Sequence, residues 1–431
     1  MKGSFPQKLN NEVVNANLCS GCGTCGGVCP NGCITFEPGQ IHSPIINEQI
    51  CINCGLCYKV CPSNSFQFSS LKADGVKWDD RIGPYISFLN SWSTDEQLRK
   101  NGASGGTVSA IFKYLLEKKL VDRVVCVKKE ENQFLVCITD DAGELSKTQG
   151  SKYIPIPLNT AIGEILKNNW TVAFVGTSCQ LQGLEKACRA MPKLRQLVKY
   201  KIGIFCGFVQ STDSFAAVRK YLKAEEPSWH FDGWRCGDYP GYVRFTNEET
   251  GEVRQLLIYD ALCLLVPFYS LEKCFLCPDG TNMCADFSFG DVHSRGNNQN
   301  CGIIRTQQGA ALVSRMVADS YLETEELTLD QAMKSTVGSV SYMKGMRSLL
   351  NIKTNRKANP AYDISFDKTK YKRLLIIQNR IQIFIYRTLR NKSVRKFAEK
   401  HPQLQMRWGR YAYCFPNYSI AYKVLKKLLK G

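Results

Sequence analysis

No run of about eighteen apolar residues occurs in this chain of 431 residues, which excludes a membrane-spanning helix. The opening MKGSFPQKLNNEVV is polar and lacks the charged start, apolar stretch and small-residue cleavage site of a secretory leader, so the expected location is the cytoplasm. Acids are almost missing from Lys368 to Gly431, where Glu399 stands alone against 17 Lys and Arg. The formal net charge of +18 therefore belongs to that tail, because the first 367 residues carry 39 bases and 37 acids. No recognised nucleic-acid motif accompanies the charge, so no nucleic-acid partner is expected. What the chain has in abundance is cysteine, 21 in all. In a reducing compartment these do not form a disulfide framework, and clustered thiols there are metal ligands or redox groups.

The first 70 residues form a Cys/Gly/Pro-rich block containing the one internal repeat. Cys19, Cys22, Cys25 and Cys29 follow the spacing C-x2-C-x2-C-x3-C-P, and Cys51, Cys54, Cys57 and Cys61 repeat it, ending in Pro30 and Pro62. Thiolates so spaced hold two 4Fe-4S clusters, each taking three cysteines of one run and the last of the other. Cluster one is expected on Cys19, Cys22, Cys25 and Cys61, and cluster two on Cys51, Cys54, Cys57 and Cys29. A pair of zinc sites is the competing reading, but zinc favours two separated pairs over three close ligands and a distant fourth. The match to G-x-G-x-x-G at Gly21, Gly23 and Gly26 follows no strand and is interrupted by cysteines, so it is not a dinucleotide fingerprint. Cys33 is left over as a structural thiol. A two-cluster module moves electrons singly, and fusion to a large domain calls for a group that pairs them, usually flavin.

From about Ser87 strand and helix signals alternate. TVSAIFKYLLEKKL and NTAIGEILKNN have helical period, VDRVVCV and FLVCIT read as strands, and YVRFTNEETGEVRQLLI reads as an inserted hairpin. WTVAFVG leads into the helix LQGLEKACRAM, and YKIGIFCG leads into STDSFAAVRKYLKAE, a pattern that implies an α/β domain with a partly parallel sheet. Ser104, Gly105, Gly106 and Thr107 stand at a helix start, where free amides favour a phosphate, although a tight turn explains them equally. Gly176 to Gln180 form the loop after a strand, at the end of the sheet where such folds bind ligands. Cys179 sits in that loop, and Cys206 stands at the same place after the next strand. These two thiols could complete a site with Cys274 and Cys277 of EKCFLCPDG, a pair otherwise lacking partners. Cys126, Cys137, Cys188, Cys236, Cys263 and Cys301 read as core thiols.

GASGGTVSAIFKYLLE, QGSKYIP, FVGTSCQLQGL, IGIFCG and CFLCPDG…ADFSFGD together resemble the coenzyme F420 hydrogenase and dehydrogenase beta-subunit family, which also includes a plant reductase of hydroxymethyl chlorophyll. The resemblance covers roughly residues 12 to 310. It implies a domain binding FAD and a third 4Fe-4S cluster, with electrons passing to or from an organic substrate or the deazaflavin F420. The cysteines matching the third cluster are Cys179, Cys206, Cys274 and Cys277, with Cys284 as a competing ligand. The FAD site implied by the resemblance comprises Ser104, Gly105, Gly106, Thr107, Ser151, Lys152, Tyr153, Thr177 and Gln180, with Lys152 suited to a phosphate or the electron-rich flavin edge. Where the family usually has Pro this chain has Ser178. His293 stands where relatives often carry an aromatic residue, and is either a proton donor or an ordinary hydrogen-bonded residue.

The expected fold is an α+β ferredoxin-like module at 12–70, an α/β flavin-binding domain with a mixed sheet at 85–340, and a basic helical tail at 365–431. In the tail Leu374, Ile377, Ile381, Phe384 and Leu389 fall near one helical face, and YKVLKKLLK repeats the theme. Such a helix suits an anionic membrane surface, packing on its own protein, or an acidic ferredoxin. The function expected is an iron-sulfur flavoprotein oxidoreductase, fed by ferredoxin or another low-potential donor and acting on a small-molecule substrate. Its catalytic residues are not identified by sequence, and a homo-oligomer is compatible with it. Similar layouts stand among bacterial surface-polysaccharide genes, which suggests a sugar-related substrate. The alternative is a non-catalytic electron-transfer protein that serves a separate enzyme, and a redox sensor is a third reading that leaves the flavin-domain motifs unused.

Overall fold

Val172–Gly176 is buried at every position, which only an inner strand covered on both faces can sustain. In the computed structural model, which describes residues 4–37, 41–292, 298–354, 360–364 and 373–413, this strand lies inside an eight-stranded mixed sheet. The strand order is Leu322–Leu327, Ser87–Ser93, Asn300–Ile304, Phe287–Asp291, Val198–Ile204, Val172–Gly176, Arg123–Glu130 and Gln133–Thr139. The four strands from Phe287–Asp291 to Arg123–Glu130 run parallel, and their outer neighbours pair antiparallel. Alternate side chains feed two cores. Ala173 and Val175 join the core under helix Thr107–Glu117, while Val172 and Phe174 join the one under helices Ala161–Asn168 and Ser178–Ala190.

The hairpin Tyr242–Asn247 and Val253–Leu257 forms as its sequence suggests, and gains a third antiparallel strand, Trp229–Cys236. Cys126, Cys137, Cys188, Cys263 and Cys301 are buried as expected, whereas Cys236 at the end of that strand is partly exposed.

In the N-terminal module two short helices, Thr24–Gly27 and Leu56–Lys59, open on the left-handed glycines Gly23 (φ 85°) and Gly55 (φ 76°), so the sequence repeat is also a backbone repeat. The module is clamped by a later segment. Ala361–Tyr362 pairs in parallel with Ser65–Phe66, almost 300 residues earlier in the chain.

The tail does not present one apolar face. Helix Arg373–Leu389 buries Gln378, Gln382, Ile383, Tyr386 and Leu389, and leaves Phe384 71% and Ile377 41% exposed. The physical reason is that its inner face is polar as well as apolar: Gln382 Nε2 donates to the Ala412 carbonyl at 3.0 Å. Helices Lys392–Lys400 and Pro402–Tyr413 follow, and Met406, Ala398 and Ala412 pack into the core around Trp234 and helix Ile258–Tyr269. Ion pairs Arg390–Glu272 (2.9 Å), Arg395–Asp213 (3.0 Å) and Arg410–Asp260 (2.8 Å) tie this region to the body. The side chain of Leu374 and all of YKVLKKLLK lie outside the described residues. Among the described residues no helix is long and apolar enough to cross a membrane.

Candidate iron-sulfur and flavin site

The two cysteine runs of the module cross over. One pocket is lined by Cys29, Cys51, Cys54 and Cys57, and a second by Cys19, Cys22, Cys25 and Cys61. Each cavity thus takes three thiols from one run and the last thiol of the other. Cys33 also lines the first cavity, with its sulfur 3.2 Å from that of Cys29. All twenty described cysteines are free thiols. Among the described residues no three His, Cys, Asp or Glu side chains crowd closely enough to hold a single metal ion. Thiols set around a larger cavity suit a cluster, in which each thiolate binds its own iron.

Burial pushes the Cys19 thiol up to about 12 and Cys57 up to about 11, and raises Cys22 and Cys25 as well. The neighbouring thiols add to the effect: Cys61 acts on Cys19, Cys22 and Cys25, while Cys54, Cys51 and Cys29 act on Cys57. Such sets stay protonated until a cation enters, which is how cluster uptake is coupled to proton release.

The module sits against the α/β domain through glycines. A Cβ on Gly23 would lie 2.4 Å from the Pro157 carbonyl oxygen, and one on Gly183 would lie 2.2 Å from Thr24 Oγ1. Asn159 bridges the seam, its amide nitrogen donating to the Cys22 carbonyl (2.9 Å) and its Nδ2 to Thr24 Oγ1 and the Gln180 carbonyl (both 2.8 Å). This close approach brings the first set within electrostatic reach of Cys179. Burial and then Cys22 raise the Cys179 thiol, and Cys179 in turn adds to the rise at Cys19.

Cys179 occupies the first turn of helix Ser178–Ala190. Thr177 and Gln180 form the capping box of that helix, and Gln180 Nε2 donates to the Ile156 carbonyl at 3.1 Å. Both residues therefore fix the loop that carries Cys179. Ser178 in place of proline leaves the helix start intact. Cys206 lies just past Val198–Ile204, which pairs directly with Val172–Gly176, and its amide donates to the Gly280 carbonyl at 2.8 Å. Cys274 and Cys277 lie in and at the end of helix Glu272–Leu276, with the Val209 amide donating to Cys274 Sγ at 3.3 Å. Burial raises Cys206, Cys179 and Cys277, and Cys274, Cys179 and Cys277 all act on Cys206. The fold thus gathers the four thiols that the strand ends and the Cys-x-x-Cys pair suggested.

Cys284 stands apart. It is buried among Leu184, Phe174 and Met283, and the charges acting on it most strongly are those of Asp279, Glu185 and Lys201.

Two buried lysines, Lys273 and Lys344, and the half-buried Lys186 surround this region without having been singled out by sequence. Lys344 Nζ donates to the Cys274 carbonyl (3.0 Å), Lys186 Nζ to the Cys61 and Ser65 carbonyls (both 2.7 Å), and Lys273 Nζ to Tyr362 Oη. Burial pulls Lys186 down to about 8, whereas the four thiols outweigh burial at Lys344 and raise it. The only textual signal was a lysine embedded in the apolar, cysteine-bearing LEKCFLC.

Of the residues expected at the flavin, Thr177 and Gln180 belong to the start of helix Ser178–Ala190, whereas Ser104, Gly105, Gly106 and Thr107 form the start of helix Thr107–Glu117. Gly106 (φ 72°) precedes this helix, which has no side-chain cap, and a Cβ on Gly105 would lie 2.6 Å from the Ser91 carbonyl oxygen. Asn300 holds the loop: its Nδ2 donates to Ser104 Oγ at 2.5 Å and its Oδ1 accepts from the Thr107 amide at 3.3 Å. Ser151 lies beside Lys152 in an extended segment. Lys152 donates to the carbonyls of Gln149 and Gly150 (both 2.9 Å) and of Thr148, so backbone oxygens take up its ammonium end. Burial lowers it to about 8. Tyr153 meets Trp234 edge to face at 5.9 Å.

Sequence reasoning missed Arg235, which joins these loops. Its Nη1 pairs with Asp291 at 2.7 Å, its Nη2 donates to the Ala103 carbonyl at 3.0 Å, and it also bonds Tyr153. Its Nε is buried with no hydrogen-bond partner among the described residues. An uncapped helix start, a glycine approach and a buried arginine with spare donor capacity suit a phosphate-bearing cofactor. Arg235 lies near the end of strand Trp229–Cys236, and no sequence spacing ties it to Ala103. His293 lies outside the described residues.

The beta subunit of coenzyme F420 hydrogenase/dehydrogenase is described by two family models, and both match: residues 88–163 match its N-terminal part and residues 170–330 its C-terminal part. The chain belongs to the coenzyme F420 hydrogenase/dehydrogenase beta-subunit family. In front of these family segments, residues 18–65 match a 4Fe-4S dicluster domain. The beta subunit of the coenzyme F420 hydrogenase from Methanococcus voltae is 27% identical over 262 residues, 57% of this chain and 86% of the relative. A subunit of the F(420)H(2) dehydrogenase from Methanosarcina mazei is 26% identical over 333 residues, 71% of this chain and 84% of that one. The coenzyme F420-dependent sulfite reductase of Methanocaldococcus jannaschii is 29% identical over 340 residues, 75% of this chain and half of that larger protein. One polypeptide of the F420-reducing [NiFe] hydrogenase complex from Methanosarcina barkeri shares the fold, with a TM-score of 0.54, 20% identity, and coverage of 66% of this chain and 98% of that one. Relatives with oxidoreductase names thus cover 57 to 75% of the chain, and the chain is an oxidoreductase or a subunit of one.

Proposed function

We propose that the chain is an iron-sulfur flavoprotein oxidoreductase that moves electrons between a low-potential donor and a small organic substrate or coenzyme F420. The residues that would hold its groups are Cys19, Cys22, Cys25 and Cys61 for cluster one, Cys51, Cys54, Cys57 and Cys29 for cluster two, and Cys179, Cys206, Cys274 and Cys277 for a third. Loops 103–107 and 151–153 with Arg235 would hold FAD. Clusters supply single-electron steps and a flavin supplies the conversion between single electrons and pairs.

The observation that carries this reading is the seam between module and domain, where Asn159 bonds both the Cys22 carbonyl of the first set and the Gln180 carbonyl next to Cys179. It gives electrons a continuous route from the surface inward. Cys54 of the second set is exposed, the first set is mostly half-buried, and Cys274 and Cys277 are buried. Around the flavin loops Arg235 keeps its charge, because a guanidinium paired with Asp291 stays protonated despite its burial, so it favours an anionic group there.

Iron, acid-labile sulfide and flavin measured per chain test the reading. About twelve irons and one FAD are expected, and about eight irons would remove the third cluster. Turnover with F420, or with sugar-linked acceptors, by the isolated chain would separate an enzyme from a relay. The relay reading, in which the chain passes electrons to a separate catalytic protein, draws support from relatives that are themselves named as subunits.

A further inference from the structure

Lys273 is 1% exposed and lies where three parts of the chain converge. It precedes Cys274 in helix Glu272–Leu276, its Nζ lies 3.5 Å from the carbonyl of Pro62, which follows Cys61, and it donates to the hydroxyl of Tyr362 in the returning strand. The ammonium also stands 4.7 Å from the centre of the Tyr362 ring. Burial lowers the pKa of this lysine, and the thiols that oppose the fall come from both sets, Cys61 from the first and Cys277, Cys179 and Cys274 from the third. Lys186 flanks it on the module side through the Cys61 carbonyl, and Lys344 on the other through the Cys274 carbonyl. Among the described residues no lysine is buried in this way at the second set, which is lined by Phe5, Pro6, Ile46, Ile52 and Leu56.

We propose that Lys273 is a shared electrostatic control residue for cluster one and the third cysteine set, raising the reduction potential of both relative to cluster two. Reducing a cluster by one electron adds one negative charge to it. A fixed ammonium in a dry setting stabilises that charge far more than water-screened surface lysines can. Because the same ammonium would serve both sets, it eases reduction on each side of the seam. The surface-nearest cluster, without such a cation, is the more strongly reducing donor to the pair. Lys273 is a positioning residue for electrons, not a catalytic one. Its effect on the third set rests on the third-cluster reading above, while its effect on cluster one does not.

The test is potentiometric titration of the loaded protein, followed by electron paramagnetic resonance, for the parent chain and for Lys273→Met, Lys273→Arg and Tyr362→Phe. In Lys273→Met the fraction of cluster one reduced at a fixed poise should fall by on the order of tenfold, with cluster two unmoved as the internal reference. Lys273→Arg should restore most of the loss, since the charge returns. Tyr362→Phe removes the hydrogen bond and keeps the ammonium, so it should leave both potentials near those of the parent. A Tyr362→Phe variant that mimics Lys273→Met would mean that Lys273 acts only as a structural clamp, and the proposal would fall. It would equally fall if cluster one did not move, or if cluster two moved as far. A parent chain with about eight irons would sink the third-cluster reading alone, leaving the cluster-one response to decide on Lys273.

Discussion

Asp363 accepts from the Phe68 amide at 2.5 Å through Oδ1 and from the Ser69 amide at 3.1 Å through Oδ2, so a carboxylate near the end of the α/β body caps a short helix of the N-terminal module. Burial pushes this carboxyl up, but the hydrogen bonds from Ser69 and Phe68 outweigh it and hold the group below the usual carboxylate range. A depressed carboxyl stabilises the fold above its unfolded pKa of about 3.9 and loses that contribution as pH falls through the folded value. Because the carboxylate is exposed and solvent screens it, Asp363→Asn should cost only about 0.5 to 1 kcal/mol at neutral pH and little at pH 2, and should speed exchange of the Phe68 and Ser69 amides. Hydrogen exchange unchanged at those two amides would contradict the clamp.

Removing one thiol distinguishes the four gathered cysteines from their neighbour. Cys206→Ser or Cys277→Ser should lower the iron content by about four per chain, whereas Cys284→Ala should leave it intact and cost only about 1 kcal/mol for the small void. Iron loss in Cys284→Ala with Cys206→Ser unaffected would reverse the assignment.

Lys152 gives a pH signature of its own in the alkaline range. Its folded pKa, lowered to about 8 by burial, lies below its unfolded value, so the unfolded chain holds the proton more tightly between these two values. Stability from this group therefore rises as pH climbs from about 8 to about 10.4, by roughly 1.4 kcal/mol per unit at most. The corresponding rise in melting temperature should be absent in Lys152→Met.

Arg235→Met would leave Asp291 without its cation and the loop of Ala103 without its donor. A loss of about 3 kcal/mol in stability is expected from the broken buried pair, together with weaker retention of flavin. Arg235→Lys should recover part of the stability, but not the two-sided grip of the guanidinium. Thermal melts and flavin fluorescence after gel filtration read the two effects separately.

Truncation after Asp367 should lower the melting temperature by several degrees, because it uncovers helix Ile258–Tyr269 and removes the Glu399 carboxylate that accepts from Tyr269 at 2.9 Å. Phe384→Ser, on the outward face, should leave the melt unchanged. Vesicle binding that persists in Phe384→Ser would rule out a membrane role for that face.

Sequence was informative where spacing itself carries the chemistry. The repeated C-x2-C-x2-C-x3-C-P fixes which thiols can reach a common cavity, since a short glycine-rich loop leaves few geometries, and the structure lines its two cavities with the same crossed sets. Val172–Gly176 and Val198–Ile204 were legible as neighbouring parallel strands, so Cys179 and Cys206 could be brought together from their text alone. Coverage of a surface by distant chain was not legible. The tail's glutamines and arginines look solvated in sequence, yet Gln382 and Arg390 are held against the body by partners 30 and 118 residues away. Lys273 reads as an ordinary surface lysine until Pro62 and Tyr362 fold over it, and Arg235 as an ordinary arginine until Ala103, Tyr153 and Asp291 converge on it. By itself, then, the sequence determined the crossed cysteine sets that line the two pockets and the strand ends, because local spacing sets local geometry. Which charges stand beside those thiols was decided only by the tertiary structure, because burial of an ion depends on partners contributed by remote segments.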